Sequence, residues 1–597
     1  MAESIISPGV FTRENDISFV QPAPVAAGAA FIGPTVKGPI EIPTIVTSYN
    51  DYVRKFGVTF TSASTSYEFL TSLAVKNYFS QGGQTALVTR VTSGSYTAAT
   101  STFISGAAAG PYTSSIIQPL TLETLGRGAI YNNATSSLHA ISGANYQNPD
   151  GSLVSGSADN LRWEIANINN ALGTFSLLVR QGDDNSNNKI ILETFNNLSL
   201  DPNSANYIAS VIGDQVQTVS TDGSSYYLQT TGSYPNRSNY VRVANVGRNT
   251  LNYVGNDGVT VGVDSTGTSY SASLPQPGSG SFFSATGTVA NGANLFGSIN
   301  SNNTQGLVGA NYTRAIGLLG NKDDYQFNVI AAPGVVSVNG TSPTDTTGQS
   351  AVVDNIISLA ESRGDCIAVV DLVNYGSPLS SATTEAVSLN TSYAASYWPW
   401  LQVQSATGRN EYVPAGTIIP GVYAFTDAAS APWFAPAGLV RGGLPGVIQA
   451  ERKLTKGDRD TLYAAKVNPI ATFPGTGISV FGQKTLQTKA SALDRVNVRR
   501  LLIELKKFIG DQAKNLVFEQ NTIATRNRFL ATVNPYLESV VQRQGLYAYR
   551  VVMDDTNNTA DVVDRNQLVG QIYIQPTKTI EFVVLDFVVE PTGATFA

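Results

Sequence analysis

One cysteine, one histidine and two methionines in 597 residues remove several kinds of chemistry at the outset. A lone Cys366 excludes an intrachain disulfide, so folding suits a reducing compartment. A lone His139 leaves too few ligands for a zinc site of the usual Cys/His types. It is also the one residue that a Ser-His-Asp or Cys-His arrangement would need, and no GxSxG elbow surrounds a serine. His139 lies in a Gly/Ser/Asn-rich stretch and reads as a surface or turn residue. Charge is scarce as well, at 13% of residues against about 25% in ordinary domains. Gly, Ser, Thr and Asn fill the space, which suits β-sheets joined by tight turns. The net charge of −6 gives no general reason to expect nucleic acid or an anionic membrane as partner.

Long apolar runs are missing too. None approaches the roughly 20 residues of a membrane helix, so no membrane insertion is expected. The opening Met1-Ala2-Glu3-Ser4-Ile5-Ile6-Ser7-Pro8 has neither the basic start nor the apolar core of a secretory leader. These absences lead to the expectation of a soluble protein made inside a cell. No P-loop sequence occurs, and Gly475-Thr476-Gly477 lacks a third glycine at dinucleotide-loop spacing; both glycines read as turn residues. The run Asp183-Asp184-Asn185-Ser186-Asn187-Asn188 lacks the Gly and Glu of a calcium loop and reads as a hairpin turn. Asp365, Asp371 and Glu361 form the one acidic group that keeps an enzyme reading open, although helix caps and strand ends account for them. No cofactor or metal is expected.

What is present is a multidomain pattern of α/β and all-β stretches. Residues 1–13 read as a short strand around Pro8-Gly9, with Ile5, Ile6, Val10 and Phe11. Residues 14–29, with two prolines and four alanines, read as an extended linker. Residues 30–91 alternate short strands with a helix near 66–80. From 92 to 310 turn signals such as Asp150-Gly151, Asp222-Gly223 and Asp257-Gly258 recur between β-branched stretches. Two β-rich units divided near 215 are expected, with one helix at 205–212. From 311 to 485 strand-like runs (327–331, 367–372) alternate with helix-like ones (351–362, 384–390), the pattern of a largely parallel sheet. In 486–597, Val498, Leu501, Leu502, Leu505, Phe508 and Ile509 repeat at helical spacing. Further helices are expected at 513–530 and 535–544, then strands at 548–553, 571–575 and 579–589.

Charge is uneven in this last part. Residues 490–550 carry ten Lys or Arg against five Asp or Glu, and residues 551–597 two against seven. Arg499, Arg500, Lys506 and Lys507 fall off the apolar stripe of the first helix. They are either an ordinary solvated face or a surface for an acidic protein partner. The segment 579–589 is apolar on both faces (Ile580, Phe582, Val584, Leu585, Phe587 and Val589), as in a strand with neighbours on both sides. Left open, such a strand would aggregate. A linker of fifteen residues spans about 50 Å, enough for the 1–13 segment to add a strand to another subunit.

Many short stretches, in order along nearly the whole chain, resemble the contractile tail sheath proteins of myovirus-type phages, kin to the sheaths of contractile bacteriocins and type VI secretion systems. They include Pro8-Gly9-Val10-Phe11, Phe31-Ile32-Gly33-Pro34-Thr35, Tyr78-Phe79-Ser80-Gln81-Gly82-Gly83 and Glu193-Thr194-Phe195-Asn196-Asn197. Further along come Ala332-Pro333-Gly334, Tyr397-Trp398-Pro399-Trp400, Leu462-Tyr463, Gly482-Gln483-Lys484-Thr485, Asn497-Val498-Arg499-Arg500 and Pro576-Thr577-Lys578. Residues 215–310 match none of this and read as a β-rich outer insertion.

The resemblance implies a mixed α/β inner core built from both termini, a β-sandwich domain (92–214) and a subtilisin-like α/β domain (311–485) without catalytic residues. It implies a non-enzymatic subunit of the virion, assembled in the host cytoplasm into stacked hexameric rings or a helical sheath. Terminal arms would add strands to neighbouring subunits. Implied partners are the tail tube protein, the baseplate and tail terminator proteins, with no direct nucleic acid. Arg499, Arg500, Lys506 and Lys507 would then face the tube. Contraction would drive the tube through the cell envelope for genome ejection. A β-rich capsid or tail-fibre subunit stands as the alternative.

Overall fold

The computed structural model describes residues 26–62, 65–103, 119–133, 148–223, 225–254, 262–263, 267, 270–287, 307–338 and 349–581. His139, the 1–13 strand with Ile5, Ile6, Val10 and Phe11, and the arm residues Phe582, Val584, Leu585, Phe587 and Val589 lie outside them.

An eight-stranded sheet organises the centre. Its order is 44–46, 86–90, 26–33, 326–338, 367–373, 394–398, 467–473 and 477–480. The six inner strands are parallel, and the two edge strands run antiparallel to them. Strands Ala86–Arg90, Ile367–Val373 and Ala394–Trp398 are buried along their whole length, which accounts for their mostly apolar character. Helices cover both faces. Leu70–Ser80 and Ile419–Ala429 pack with Phe31, Val88 and Val369 on one side; Gly309–Leu318 and Gln349–Arg363 pack with Ile32, Ile330 and Val370 on the other.

The central strand Ala26–Gly33 corrects the reading of 14–29 as linker throughout, because Ala26, Ala27 and Ala29 already pair with the parallel strand 326–338, and Ala29 with 86–90 as well. Small residues are required there by packing. A Cβ on Gly28 would lie 2.1 Å from the Tyr78 hydroxyl of the covering helix. Close helix–sheet contact therefore overrides the weak strand propensity of alanine and glycine.

Between this strand system and residue 307 the chain makes a β-rich domain. One antiparallel sheet runs 191–199, 174–181, 161–169, 278–281, and another runs 241–246, 120–127, 98–102. Leu120, Leu122, Val241 and Val243 of the second share one apolar cluster with Trp163, Phe175, Leu177 and Phe282 of the first. The expected boundary at 215 therefore fails: 241–246 pairs with 120–127, and 278–281 with 161–169. Among the described residues of this domain, only the 216–222/225–231 hairpin, turned at Asp222-Gly223, stands as a separate two-stranded sheet. The helix expected at 205–212 is the shorter Ile208–Ile212.

The Asp183–Asn188 loop hides a buried ion cluster that its polar sequence does not announce. Asp184 is fully buried and pairs with both Arg162 and Arg180; Arg180 also pairs with Glu164, and Glu164 with Lys189.

The β-rich and central domains meet at Arg90. Its buried guanidinium donates to the carbonyls of Val36 and Gly38 on one side and Arg127 on the other, at 2.8–3.3 Å. Desolvation lowers its pKa to about 10, so the side chain stays cationic and is held by carbonyl dipoles.

Candidate assembly site

The carboxy-terminal domain is built on two helices, Val496–Lys514 and Ile523–Gln542. The first follows the predicted stripe: Val498, Leu501 and Leu505 are buried, and Phe508 stacks on Tyr536 of the second helix. The second begins later than expected and runs through Pro535, where two helices were expected. Phe529, Val533, Leu537 and Val540 form one buried stripe across the proline, so tertiary packing outweighs its local cost. Trp433, reaching from the central domain, donates to the Arg543 carbonyl at 3.0 Å and closes this core.

The basic residues of the first helix divide into two groups. Arg499 and Arg500 are each only 4% exposed, which corrects their reading as a solvent-facing pair. Arg499 donates to the carbonyl and hydroxyl of Ser392 and lies over the Tyr393 ring at 4.0 Å. Arg500 grips both oxygens of Asp427 at 2.5 and 2.6 Å and lies over Tyr423 at 4.6 Å. Both fasten the helix to the central domain. Guanidinium suits this role, combining a planar fork with stacking on aromatic faces. Lys506 is exposed and 3.4 Å from the Tyr393 hydroxyl; Lys507 is half-buried, 3.2 Å from Asn328.

After the helices, strands Leu546–Val552 and Gln571–Pro576 pair antiparallel. Among the described residues each has only the other as a sheet neighbour. Among the described residues both outer edges are open, and Tyr547 and Tyr573 are exposed. A two-stranded sheet is marginal alone and offers two rows of unpaired backbone groups.

Thr577 still bonds the Gln544 and Gly545 carbonyls, and residues 579–581 then reach the central domain, not as a strand. Ile580 is exposed, while Glu581 binds Arg495, Tyr463 and Gln483. Sequence reading saw the apolar run that starts here but missed this carboxylate, whose partners lie 86–118 positions earlier.

The acidic group of the enzyme reading is dispersed. Asp365 pairs with Arg363, Glu361 accepts from Thr391, and Asp371 accepts from the Gly416 amide at 2.8 Å. Among the described residues no group of three His, Cys, Asp or Glu could hold a metal, and no helix is long and apolar enough to cross a membrane. Cys366 is buried, and burial pushes its thiol up to about 12. Gly475 and Gly477 have positive φ in the turn between paired strands.

These features define a multidomain α/β and all-β scaffold whose carboxy-terminal sheet has, among the described residues, no strand on either edge. Residues 305–486 match the phage tail sheath protein central domain, and residues 488–590 the phage tail sheath C-terminal domain. Both matches fall in the second half of this chain. It is similar to the tail sheath protein of Vibrio phage KVP40, 41% identical over 217 residues, which are 36% of this chain and 32% of that one. It is similar also to the tail sheath protein of Enterobacteria phage T4, 35% identical over 269 residues, 41% of this chain and 40% of that one. The chain spans between 32% and 45% of the length of the curated relatives it matches. A solved relative is the PVC sheath complex of an extracellular contractile injection system in its contracted state, at 26% identity over 39% of this chain and 68% of that chain, with a TM-score of 0.36.

Proposed function

We propose that this chain is a structural subunit of a contractile tail sheath. It polymerises around an inner tail tube in stacked hexameric rings or a helix, and contracts to drive the tube through the host envelope. The match of both sheath domains across 305–590 carries this reading, and the open-edged 546–552/571–576 sheet supports it. In this reading that sheet accepts terminal strands of neighbouring copies, from Ile5, Ile6, Val10 and Phe11 at one end and from the 579–589 run at the other. Backbone hydrogen bonds would supply the affinity. The carboxy-terminal domain and the amino-terminal arm form the tube-side core. The 92–310 region is a β-sandwich-like outer domain with its insertion. The central domain is a subtilisin-like scaffold used without catalysis, since a fold does not carry its chemistry with it. The subunit is a virion component that meets baseplate and terminator proteins at the two ends of the sheath.

Electron microscopy of the purified protein tests the reading. Hollow striated tubes are expected, whereas closed shells or thin fibres would favour a capsid or tail-fibre subunit. Deleting residues 1–13 is expected to leave a soluble subunit that forms no tubes; ordered tubes from that chain would overturn strand exchange.

With Arg499 and Arg500 committed inside the subunit, the tube-facing role falls to Lys506 and Lys507. A K506E variant is expected to keep its thermal midpoint within about 2 °C, since Lys506 is exposed and exposed charges contribute little to stability. It is expected to lose most of its assembly on tubes at low salt. Normal extended tails from the variant would remove the tube-contact assignment.

A further inference from the structure

We infer that Arg495, at the start of the carboxy-terminal domain, together with Tyr463 and Gln483 of the central domain, forms a built socket for Glu581, and that this socket anchors the carboxy-terminal arm at the junction of the two domains. The inference rests on the strand-exchange reading for its purpose, but not for its geometry. Both carboxylate oxygens of Glu581 are filled. Oε1 accepts from Arg495 Nε at 2.6 Å and Gln483 Nε2 at 3.2 Å. Oε2 accepts from Arg495 Nη2 at 3.0 Å and the Tyr463 hydroxyl at 2.9 Å. The same Gln483 amide donates to Thr579 Oγ1 at 2.5 Å. A bidentate guanidinium–carboxylate pair with added donors is among the strongest polar contacts available to a chain.

The socket is held in shape by its own neighbours. Asn468 fixes the Lys484 backbone from both sides, accepting its amide at 2.6 Å and donating to its carbonyl at 2.8 Å. Val496 donates its amide to the Gln483 carbonyl at 2.8 Å. Lys484 lies over the Tyr463 ring at 4.0 Å and donates to the Tyr463 carbonyl at 2.7 Å. Arg495 and Lys484 give the socket an excess of positive charge that Asp494, paired to Arg495 at 2.9 Å, does not fully answer. Burial followed by the charges of Lys466 and Arg495 lowers the Lys484 ammonium to about 8. Burial alone would raise the Glu581 carboxyl; hydrogen bonds from Arg495 and Tyr463 bring it below its ordinary value.

Ile580, between the two gripped residues, is 85% exposed, so apolar burial does not hold this segment. Three stretches that carry the sheath resemblance (Leu462-Tyr463, Gln483-Lys484 and Pro576-Thr577-Lys578) meet or end here. A strand donated beyond residue 581 is thereby tied to the donor's central domain, and not merely to the tip of its carboxy-terminal sheet.

Cleavage by trypsin after the exposed Lys578 reports the anchor in the isolated full-length subunit, followed as release of residues 579–597 by mass spectrometry. E581Q is expected to speed this cleavage by about tenfold to a hundredfold, as loss of charge-assisted hydrogen bonds predicts. Y463F, which removes one bond, is expected to speed it a few-fold and guards against misfolding of the first variant. Cleavage of both within twofold of the parent chain would overturn the anchor. E581Q is also expected to yield few or short tubes; full-length ordered tubes from it would overturn the anchor's part in assembly. Removal of residues 582–597 judges the parent reading separately. Tubes formed without them would refute strand donation by this arm, while the cleavage rates would still decide whether the socket holds Glu581.

Discussion

Asp184→Ala is expected to lower the stability of the β-rich domain by about 3–5 kcal/mol, the usual result of stranding a buried charge. Asp184 accepts four hydrogen bonds: from Arg162 Nη1 at 3.0 Å, from Arg180 Nε and Nη2 at 2.7 and 2.8 Å, and from the Ile190 amide at 3.0 Å. Its side chain and that of Arg162 have no exposure, and that of Arg180 has 2%. The substitution leaves two guanidiniums with one remaining counter-charge, Glu164, which Lys189 already shares. For a domain of this size the thermal midpoint should fall by roughly 10 °C. Asp184→Asn keeps the shape and removes only charge, so a comparable fall there assigns the loss to the ion cluster. A fall below about 2 °C in both variants would show that the cluster contributes little.

Asp371→Asn is expected to act in the opposite direction and only above acidic pH. Asp371 is fully buried under the 415–417 turn, and desolvation outweighs the Gly416 amide to raise its pKa to about 7. The unfolded value is near 3.9. The folded chain therefore binds this proton more tightly than the unfolded chain. Stability contributed by the neutral form is complete below about pH 4, falls as pH rises towards 7, and is lost above it. The difference amounts to about 4 kcal/mol at pH 8. Asparagine keeps the acceptor for Gly416 and never ionises. The variant should match the parent near pH 4 and unfold several degrees higher at pH 8, as read by calorimetry across pH. Equal midpoints at pH 8 would place the folded pKa near the ordinary carboxylate value.

The two carboxylates show where sequence reading reaches and where it stops. Strand Ile367–Val373 was legible because its burial on both faces forces a run that is apolar at every position but Asp371, yet that run says nothing about the depth of Asp371. The helix at 496–514 was legible because its apolar residues recur at helical spacing. Periodicity marks Arg499 and Arg500 as off the stripe, but their aromatic and polar partners at 392–393, 423 and 427 come 70 residues or more earlier. Off-stripe was read as solvent-facing, whereas a second domain covers that side. The boundary near 215 failed for a related reason. Strand 241–246 finds its partner at 120–127, a pairing no local pattern records. The family resemblance reached further than periodicity because it drew on many separated stretches, several of which converge in space around Glu581.

Position in the central sheet gives the start of the described chain a mechanical character. Strand Ala26–Gly33 is hydrogen-bonded along most of its length to 326–331 on one side and 86–90 on the other. Tension applied through the residues before Ala26 runs along the strand axis. It would load both ladders in shear at once, so their hydrogen bonds must yield together. A peripheral hairpin such as 216–231, pulled across its strands, would open one bond at a time. A pull entering at Ala26 therefore meets a strand that yields only when many hydrogen bonds give way together, so such a force would move the central sheet as a unit before that strand unravels.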